Sequence, residues 1–532
     1  MLMQGFPPPA DVRVTLANWQ EPPYNRWSFS HMRELVPTQR ISRGPGPVTP
    51  LLADPLPLGE TALHRVDGAE AIVDDVLDDT YTDAVVVVHD GRVVLERYAG
   101  ETAPDTPHLL MSISKSVVGC VAGNLVERGL LSPAHLVTDH VPELEHSGYR
   151  GASLRDVLDM RSGAEFSEDY TDLDAEVRVI EEAMGWRPAS HRQVPSSMYA
   201  YLTTIGGAGD HGGVFDYRSC ETDVLGWVCE RASKTRMADL VGELVWSAIG
   251  AEHDAEITCD GAGTAIHDGG MCATARDVAR FGAMLLAGGE VAGRRVVPAA
   301  WLRESWTADP DILDAFARSV SGPYLPGGWY RNKFWFLPRE HGDLLLCLGI
   351  NGQMLYVNPG TGTVAAKLSS WPDAQSPTML HDTLRAFDAV GAALVSTAAG
   401  NPEQRHGTAG VVAGLSRGRL GGSPADGRPG SELSAGCCTP SSAIDSPAKH
   451  CWEAALRASS APHGQSLALT PDPRRESPLP AIAPPTSWMP SPSPPPSSIR
   501  LPLPPATPAT WPTLPARPAS RCGSWEPNQH QL

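Results

Sequence analysis

The sequence predicts a mixed α/β chain: an antiparallel sheet flanked by helices, a mostly helical inserted region, and a long unstructured tail. Three observations carry this reading. First, Ala84-Val85-Val86-Val87-Val88 and Val93-Val94-Leu95 flank His89-Asp90-Gly91-Arg92, and Asp-Gly between two β-branched runs is a strong hairpin signal. Second, far downstream, Leu344 to Leu348 reads as a buried strand and Met354 to Val357 as its partner, joined through Gly349-Ile350-Asn351-Gly352-Gln353. Third, apolar residues between these pairs recur at helical spacing, as in Val117, Val118, Val121, Ala122, Leu125 and Val126.

In chain order, residues 1–60 are irregular and proline-rich, with Trp19, Tyr24, Trp27 and Phe29 expected to clasp the domain surface. Residues 61–79 read as a helix through Ile72, Val73, Val76 and Leu77. After the hairpin and Pro107, a helix opens at Ser112 and stops at Gly129. Leu154 to Met160 is a short amphipathic segment closed by Ser162-Gly163. Residues 165–182 hold about eight acids against one base, Arg178. This is either a solvated loop or an acidic lid for a cationic substrate. Val214-Phe215-Asp216-Tyr217-Arg218-Ser219 precedes a helix bearing Val224, Leu225 and Val228, and another helix runs from Met237 to Ile249. The turn His267-Asp268-Gly269-Gly270 leads to a helix over Ala273 to Leu286, and a last helix spans about Met379 to Val395. From about Asn401 the periodicity disappears, and the final segment holds about 25 of the 50 prolines. The reading is one domain over 1–398 and a Pro/Ser/Gly-rich tail over 399–532.

The net charge of −19 argues against a nucleic-acid partner. No apolar run reaches the roughly 18 residues that a membrane helix requires, and the N-terminus lacks a basic region followed by an apolar core. The ten cysteines form no C-x-x-C pair or other zinc spacing, which favours a reduced, cytoplasmic setting. Neither metal nor other cofactor is expected.

Ser112-Ile113-Ser114-Lys115 places a lysine one turn from a serine on the same helical face. The serine sits where the helix dipole and a free backbone N–H favour a developing anion. A second Ser-x-x-Lys, Ser446 to Lys449, has no helix to hold it, and Gly414-Leu415-Ser416-Arg417-Gly418 lacks the strand and helix that a nucleophile elbow needs. A serine hydroxyl becomes nucleophilic when a neighbouring base takes its proton, and burial would lower the lysine toward that role.

The order Ser112-x-x-Lys115, Tyr217-Arg218-Ser219, then Gly349-Ile350-Asn351-Gly352 after a buried strand resembles the serine β-lactamase and penicillin-recognising family. The surrounding phrases Leu158-Asp159-Met160-Arg161-Ser162-Gly163, Tyr170 and Phe215-x-Tyr217-x-Ser219 look most like its 6-aminohexanoate-dimer hydrolase branch. The resemblance covers about residues 10–398. It implies a β-lactamase/transpeptidase-like α+β fold and hydrolysis of a small linear amide or ester through an acyl-enzyme on Ser112. Lys115 would be the base and Tyr217 a proton relay. The oxyanion would lie between the N–H groups of Ser112 and the Ile350 region, and Tyr170 would bond the bound amide. Glu181 or Glu182 is the candidate for a substrate ammonium, and His267 a candidate pocket residue. Penicillin-processing members carry a lysine in the third motif, where this chain has Ile350-Asn351-Gly352, so little β-lactam turnover is expected. The alternatives are a carboxylesterase of the same family and a catalytically silent binding homologue; a homodimer is compatible with either.

Overall fold

Thr82–His89 is buried almost without interruption, and apolar from Ala84 to Val88, because both of its faces are covered. The computed structural model describes residues 2–190 and 193–400, with the side chains of 398–400 excepted. In it, Thr82–His89 lies inside an eight-stranded sheet. The strand order is Trp329–Arg331, Phe334–Leu337, Leu344–Gly349, Gln353–Asn358, Thr363–Ser369, Thr82–His89, Arg92–Tyr98 and Leu52–Ala53. Every pairing is antiparallel except that of Leu52–Ala53 with Arg92–Tyr98.

Alternation along the strand sorts its side chains onto two cores. Val85 and Val87 pack with Val73, Val76 and Leu77 of the helix Val73–Asp79 and with Leu384, Phe387 and Val390 of the helix Pro377–Gly400. Val86 and Val88 belong to the opposite core with Val278, Phe281 and Leu285 of the helix Ala275–Leu286. That helix comes close enough that a Cβ on Gly282 would lie 2.5 Å from Val364 Cγ1, so a side chain there would force it off the sheet.

A second, four-stranded antiparallel sheet joins Thr38–Ile41, Ala255–Thr258, Met271–Ala273 and His108–Leu109. It brings the residues just before Ser112 beside those just after the turn at 267–270, and Leu110 N–H donates to Met271 O at 2.8 Å. The inserted region is mostly helical, including Leu154–Leu158, Glu176–Ala183 and Cys220–Ser233.

Two expectations change. Only Val73–Asp79 of the segment 61–79 is helical; Ala62–His64 and Glu70–Ile72 form a small hairpin before it. The N-terminal aromatics divide, since Trp19 and Phe29 are core residues rather than surface clasps. The Ser446/Lys449 and Ser416 motifs and the tail lie outside the described residues. Among the described residues, no helix is long and apolar enough to cross a membrane.

Candidate active site

Ser112 caps the helix Ile113–Glu127, whose first three turns are wholly buried. Met111 before it holds φ +46°, a conformation that costs a bulky side chain energy and that turns the chain sharply into the helix. Lys115 is 1% exposed, and its Nζ donates to Ser112 Oγ at 2.8 Å and to Asp268 O at 2.8 Å. Its Nζ lies 3.7 Å from Asp268 Oδ2 and 5.3 Å from the centre of the Tyr217 ring. Tyr217 is braced by aromatic neighbours: Trp335 stacks at 5.2 Å and Tyr330 meets it edge-on at 6.1 Å. Burial pushes the Tyr217 phenol up, and the Lys115 charge pulls against it.

Lys115 differs from the lowered base that burial alone would make. Burial pulls it down, but the Coulombic pull of Tyr217, Asp268, Glu168 and Asp223 outweighs that, and the net direction is upward. Asp223 accepts the backbone N–H groups of His267 and Asp268 at 3.1 Å each. Its own carboxyl is pushed well up by burial and by the neighbouring Asp268 charge. After Tyr217, Asp268 is the strongest of the groups holding the Lys115 charge, and its Oδ2 stands 3.7 Å from Nζ.

The Leu344–Gly349 strand runs directly beside this turn. A Cβ on Gly349 would sit 2.8 Å from Leu110 O and 3.0 Å from Met111 Cβ, so only glycine permits the approach. Ile350 therefore borders the same cavity as Ser112. Asn351, with φ +57°, turns its amide inward to Trp371 O at 3.0 Å and leaves this motif without a cation.

Two cavities meet at Ser112. The closed arm is lined by Met111, Val177, Ile180, Met184 and Trp186, with Glu181 and Asp268 as its acids. Its free space of about 30 Å³ is that of roughly one water. The open arm, about 1050 Å³, runs past Tyr217, Trp335, Tyr324 and Trp371. Tyr170 borders both arms; its hydroxyl donates to Glu168 Oε2 at 2.6 Å, and Glu168 also accepts the Ser219 N–H. The acidic stretch is thus tied to the Tyr217 segment.

The expected substrate-binding residues fall into different places. Glu181 walls the closed arm, with Oε1 accepting from Gln20 at 3.0 Å and Arg178 at 3.0 Å, and Arg187 3.7 Å from Oε2. Burial pushes it up to about 7 against those cations. Glu182 instead accepts the Ser190 N–H and borders neither cavity. His267 is corrected: it is fully buried, bonded to Tyr199 Oη at 2.9 Å and pressed against Gly226, so its ring lines neither arm. Its neighbour Asp268 does, one residue from the position expected.

The sequence also concealed a support behind the nucleophile helix. Asn332 and Lys333, with φ +52° and +70°, form the buried tip of the Trp329–Arg331/Phe334–Leu337 hairpin. Ser116 Oγ donates to Lys333 O at 2.8 Å, and Lys333 Nζ donates to Val157 O at 2.7 Å. A tight turn of this kind is usually announced by Asn-Gly; Asn-Lys gives a weak signal.

A buried amine bonded to a helix-capping serine, with a braced phenol against both, is the machinery of a serine hydrolase. The chain belongs to the Beta-lactamase family, whose profile matches residues 69–389. Over 400 residues it is 38% identical to the 6-aminohexanoate-dimer hydrolase of Paenarthrobacter ureafaciens, covering 72% of this chain and 97% of that one. Among solved structures, one from Bacillus anthracis, provisionally assigned as a 6-aminohexanoate-dimer hydrolase, matches with a TM-score of 0.67 and 26% identity. The match covers 73% of this chain and 99% of that one.

Proposed function

We propose that the protein hydrolyses small linear amides whose acyl part ends in a primary amine, as in the 6-aminohexanoate dimer, through an acyl-enzyme on Ser112. The observation that carries the reaction is the 2.8 Å bond from Lys115 Nζ to Ser112 Oγ inside a buried helix start. Lys115, once neutral, takes the Ser112 proton as Oγ attacks the amide carbon. The oxyanion lies between the N–H groups of Ser112 and Ile350, where one such donor is worth about 10²–10³ in rate. Tyr217 passes a proton to the departing amine, and Tyr170 bonds the amide from the lid side. Water then attacks the acyl-enzyme, giving up its proton to the same base and releasing the acid.

The substrate class rests on the closed arm. Glu181 Oε2 and Asp268 Oδ1 are both buried and make no hydrogen bond, and both residues line one apolar cavity. Arg187 lies 3.7 Å from Glu181 Oε2 and Lys115 3.7 Å from Asp268 Oδ2, so what the two bare oxygens lack is a hydrogen-bond donor, which an ammonium supplies. An alkylammonium chain supplies both that donor and apolar surface for Val177, Ile180 and Trp186. It enters by displacing Met111 and Met184, whose unbranched side chains adapt readily. The leaving amine then occupies the open arm. We place the protein in the cytoplasm, a reading supported by the six described cysteines, all free and buried.

The test is a hydrolysis panel of linear aminoacyl amide, short ester, nitrocefin and D-amino-acid amide, run on wild type and Ser112→Ala. Expected is turnover of the aminoacyl amide, lost in Ser112→Ala, with little on nitrocefin. Ester turnover exceeding that of the amide would favour a carboxylesterase. Failure of a fluorophosphonate to label Ser112 would point to a silent homologue.

A further inference from the structure

Asp268 faces two ways. Its backbone carbonyl and Oδ2 are turned toward Lys115, at 2.8 and 3.7 Å from Nζ. Its other oxygen, Oδ1, is buried without a hydrogen bond, and the residue lines the closed arm that ends in Glu181. The carboxylate that holds the charge on the candidate base is therefore also part of the cavity where the substrate amine is placed.

We propose that Asp268 couples recognition to activation: with the closed arm empty it keeps Lys115 protonated, and a substrate ammonium docking against Asp268 releases that proton. The inference rests on the reading of the closed arm as an amine site. A cation placed at Asp268 cancels the field that stabilises Lys115-NH₃⁺ and adds a like charge nearby, and both changes favour the neutral amine. The proton goes to solvent, Lys115 becomes the base that Ser112 needs, and no other bond changes. By linkage the two events are antagonistic: a proton on Lys115 weakens ammonium binding by the same factor that ammonium weakens the proton. Asp268 is thus a positioning residue acting through Lys115, and a neutral substrate filling the same arm would bind without arming the serine.

The groups facing Lys115 are few enough to control. They are Tyr217 and Asp223 from the segment and helix at 217–233, Glu168 from the lid, Asp268 from the turn, and Lys333 from the hairpin tip. Glu181 and Lys333, at about 7 and about 8, would titrate near neutrality. At about pH 9 both are largely settled, while an alkylamine remains mostly charged and Lys115 retains its proton.

The test is calorimetric titration of n-butylammonium chloride into the full-length protein at that pH, in two buffers of different ionisation enthalpy, with n-pentanol as the uncharged isostere. Wild type is expected to release a measurable fraction of a proton per ammonium bound, and none with n-pentanol. Glu181→Gln should bind about tenfold more weakly with the same release, whereas Asp268→Asn should release none. Ammonium binding without proton release, or undiminished release in Asp268→Asn, overturns the coupling and leaves the amine site standing. No preference for ammonium over n-pentanol overturns the amine site itself. Should Asp268→Asn bind too weakly to titrate, labelling of Ser112 by a neutral fluorophosphonate gives a second readout at neutral pH. n-Butylammonium should speed it about tenfold in wild type, for about one unit of proton affinity, while Asp268→Asn should label fast without amine. A slow Asp268→Asn variant with wild-type melting behaviour overturns the proposal.

Discussion

Three lysines are buried in this domain, and they respond to burial in opposite ways. Lys367, at the end of a central strand, donates to Thr80 O at 3.0 Å and to the Ser369 hydroxyl, has only Asp83 to oppose desolvation, and is pulled down to about 7. Lys333, behind the nucleophile helix, is pulled down to about 8 despite Glu221. Lys115 is as fully buried as either, yet is raised. The difference is the company it keeps: carbonyls and hydroxyls leave an ammonium expensive in a low dielectric, whereas a ring of acids restores its charge. Burial alone therefore does not make a lysine a base, and in this site something must first be done about the acids.

Lys115→Met should break the contrast most severely. It is expected to lower kcat/KM for an aminoacyl amide by about 10²–10⁴, the usual worth of a positioned base, while Lys367→Met keeps kcat/KM near wild type in the same assay. Next in size is Asp268→Asn. With one negative charge removed, Lys115 becomes easier to deprotonate, so the acidic limb of the kcat/KM profile should move to lower pH by about one unit.

Stability gives a third, smaller comparison. Lys367 is lowered from 10.5 to about 7 on folding. The unfolded chain therefore binds more protons between those values, and stability contributed by this group rises with pH across that window. The slope cannot exceed about 1.4 kcal/mol per pH unit for one group. Denaturant unfolding at several pH values should show it flattened in Lys367→Met. Lys115, shifted the other way, adds nothing to that rise. The smallest effect is expected from Tyr170→Phe, which removes the donor to Glu168, one of the acids around Lys115. A loss of about fivefold in kcat/KM, or about 1 kcal/mol, matches one ordinary hydrogen bond.

How legible the site was in the sequence depended on how local each part is. Ser112 and Lys115 sit one helical turn apart, and Tyr217 and Ile350 lie next to recognisable strand and helix signals, so residue spacing exposes them. Asp268 and Asp223 come from segments far apart in sequence that meet through two backbone hydrogen bonds and the packing of His267 on Gly226. In the 267–270 turn the sequence offers His267 as either a pocket residue or a loop-structuring one and does not single out Asp268, because it reports residue types and not which of two neighbours faces a cavity. The fold followed the same rule. The Asp90-Gly91 hairpin and the long apolar strands were evident. Trp329–Arg331 and Phe334–Leu337 are hidden by their Asn-Lys turn, and the stretch 62–72 reads as helix because its strands are only three residues each.

The N-terminal segment deserves a different description from the one its irregular sequence suggests. Trp19 Nε1 donates to Trp186 O at 2.7 Å and its ring meets that of Trp186 edge-on at 5.3 Å, while the next residue, Gln20, bonds Glu181. Trp186 and Glu181 are the far wall of the closed arm. The family match begins only at residue 69, so a domain boundary drawn there would remove the support behind the proposed amine site while sparing Ser112, Lys115 and Tyr217. Trimming this chain from its front is, in effect, a way of redesigning what it accepts.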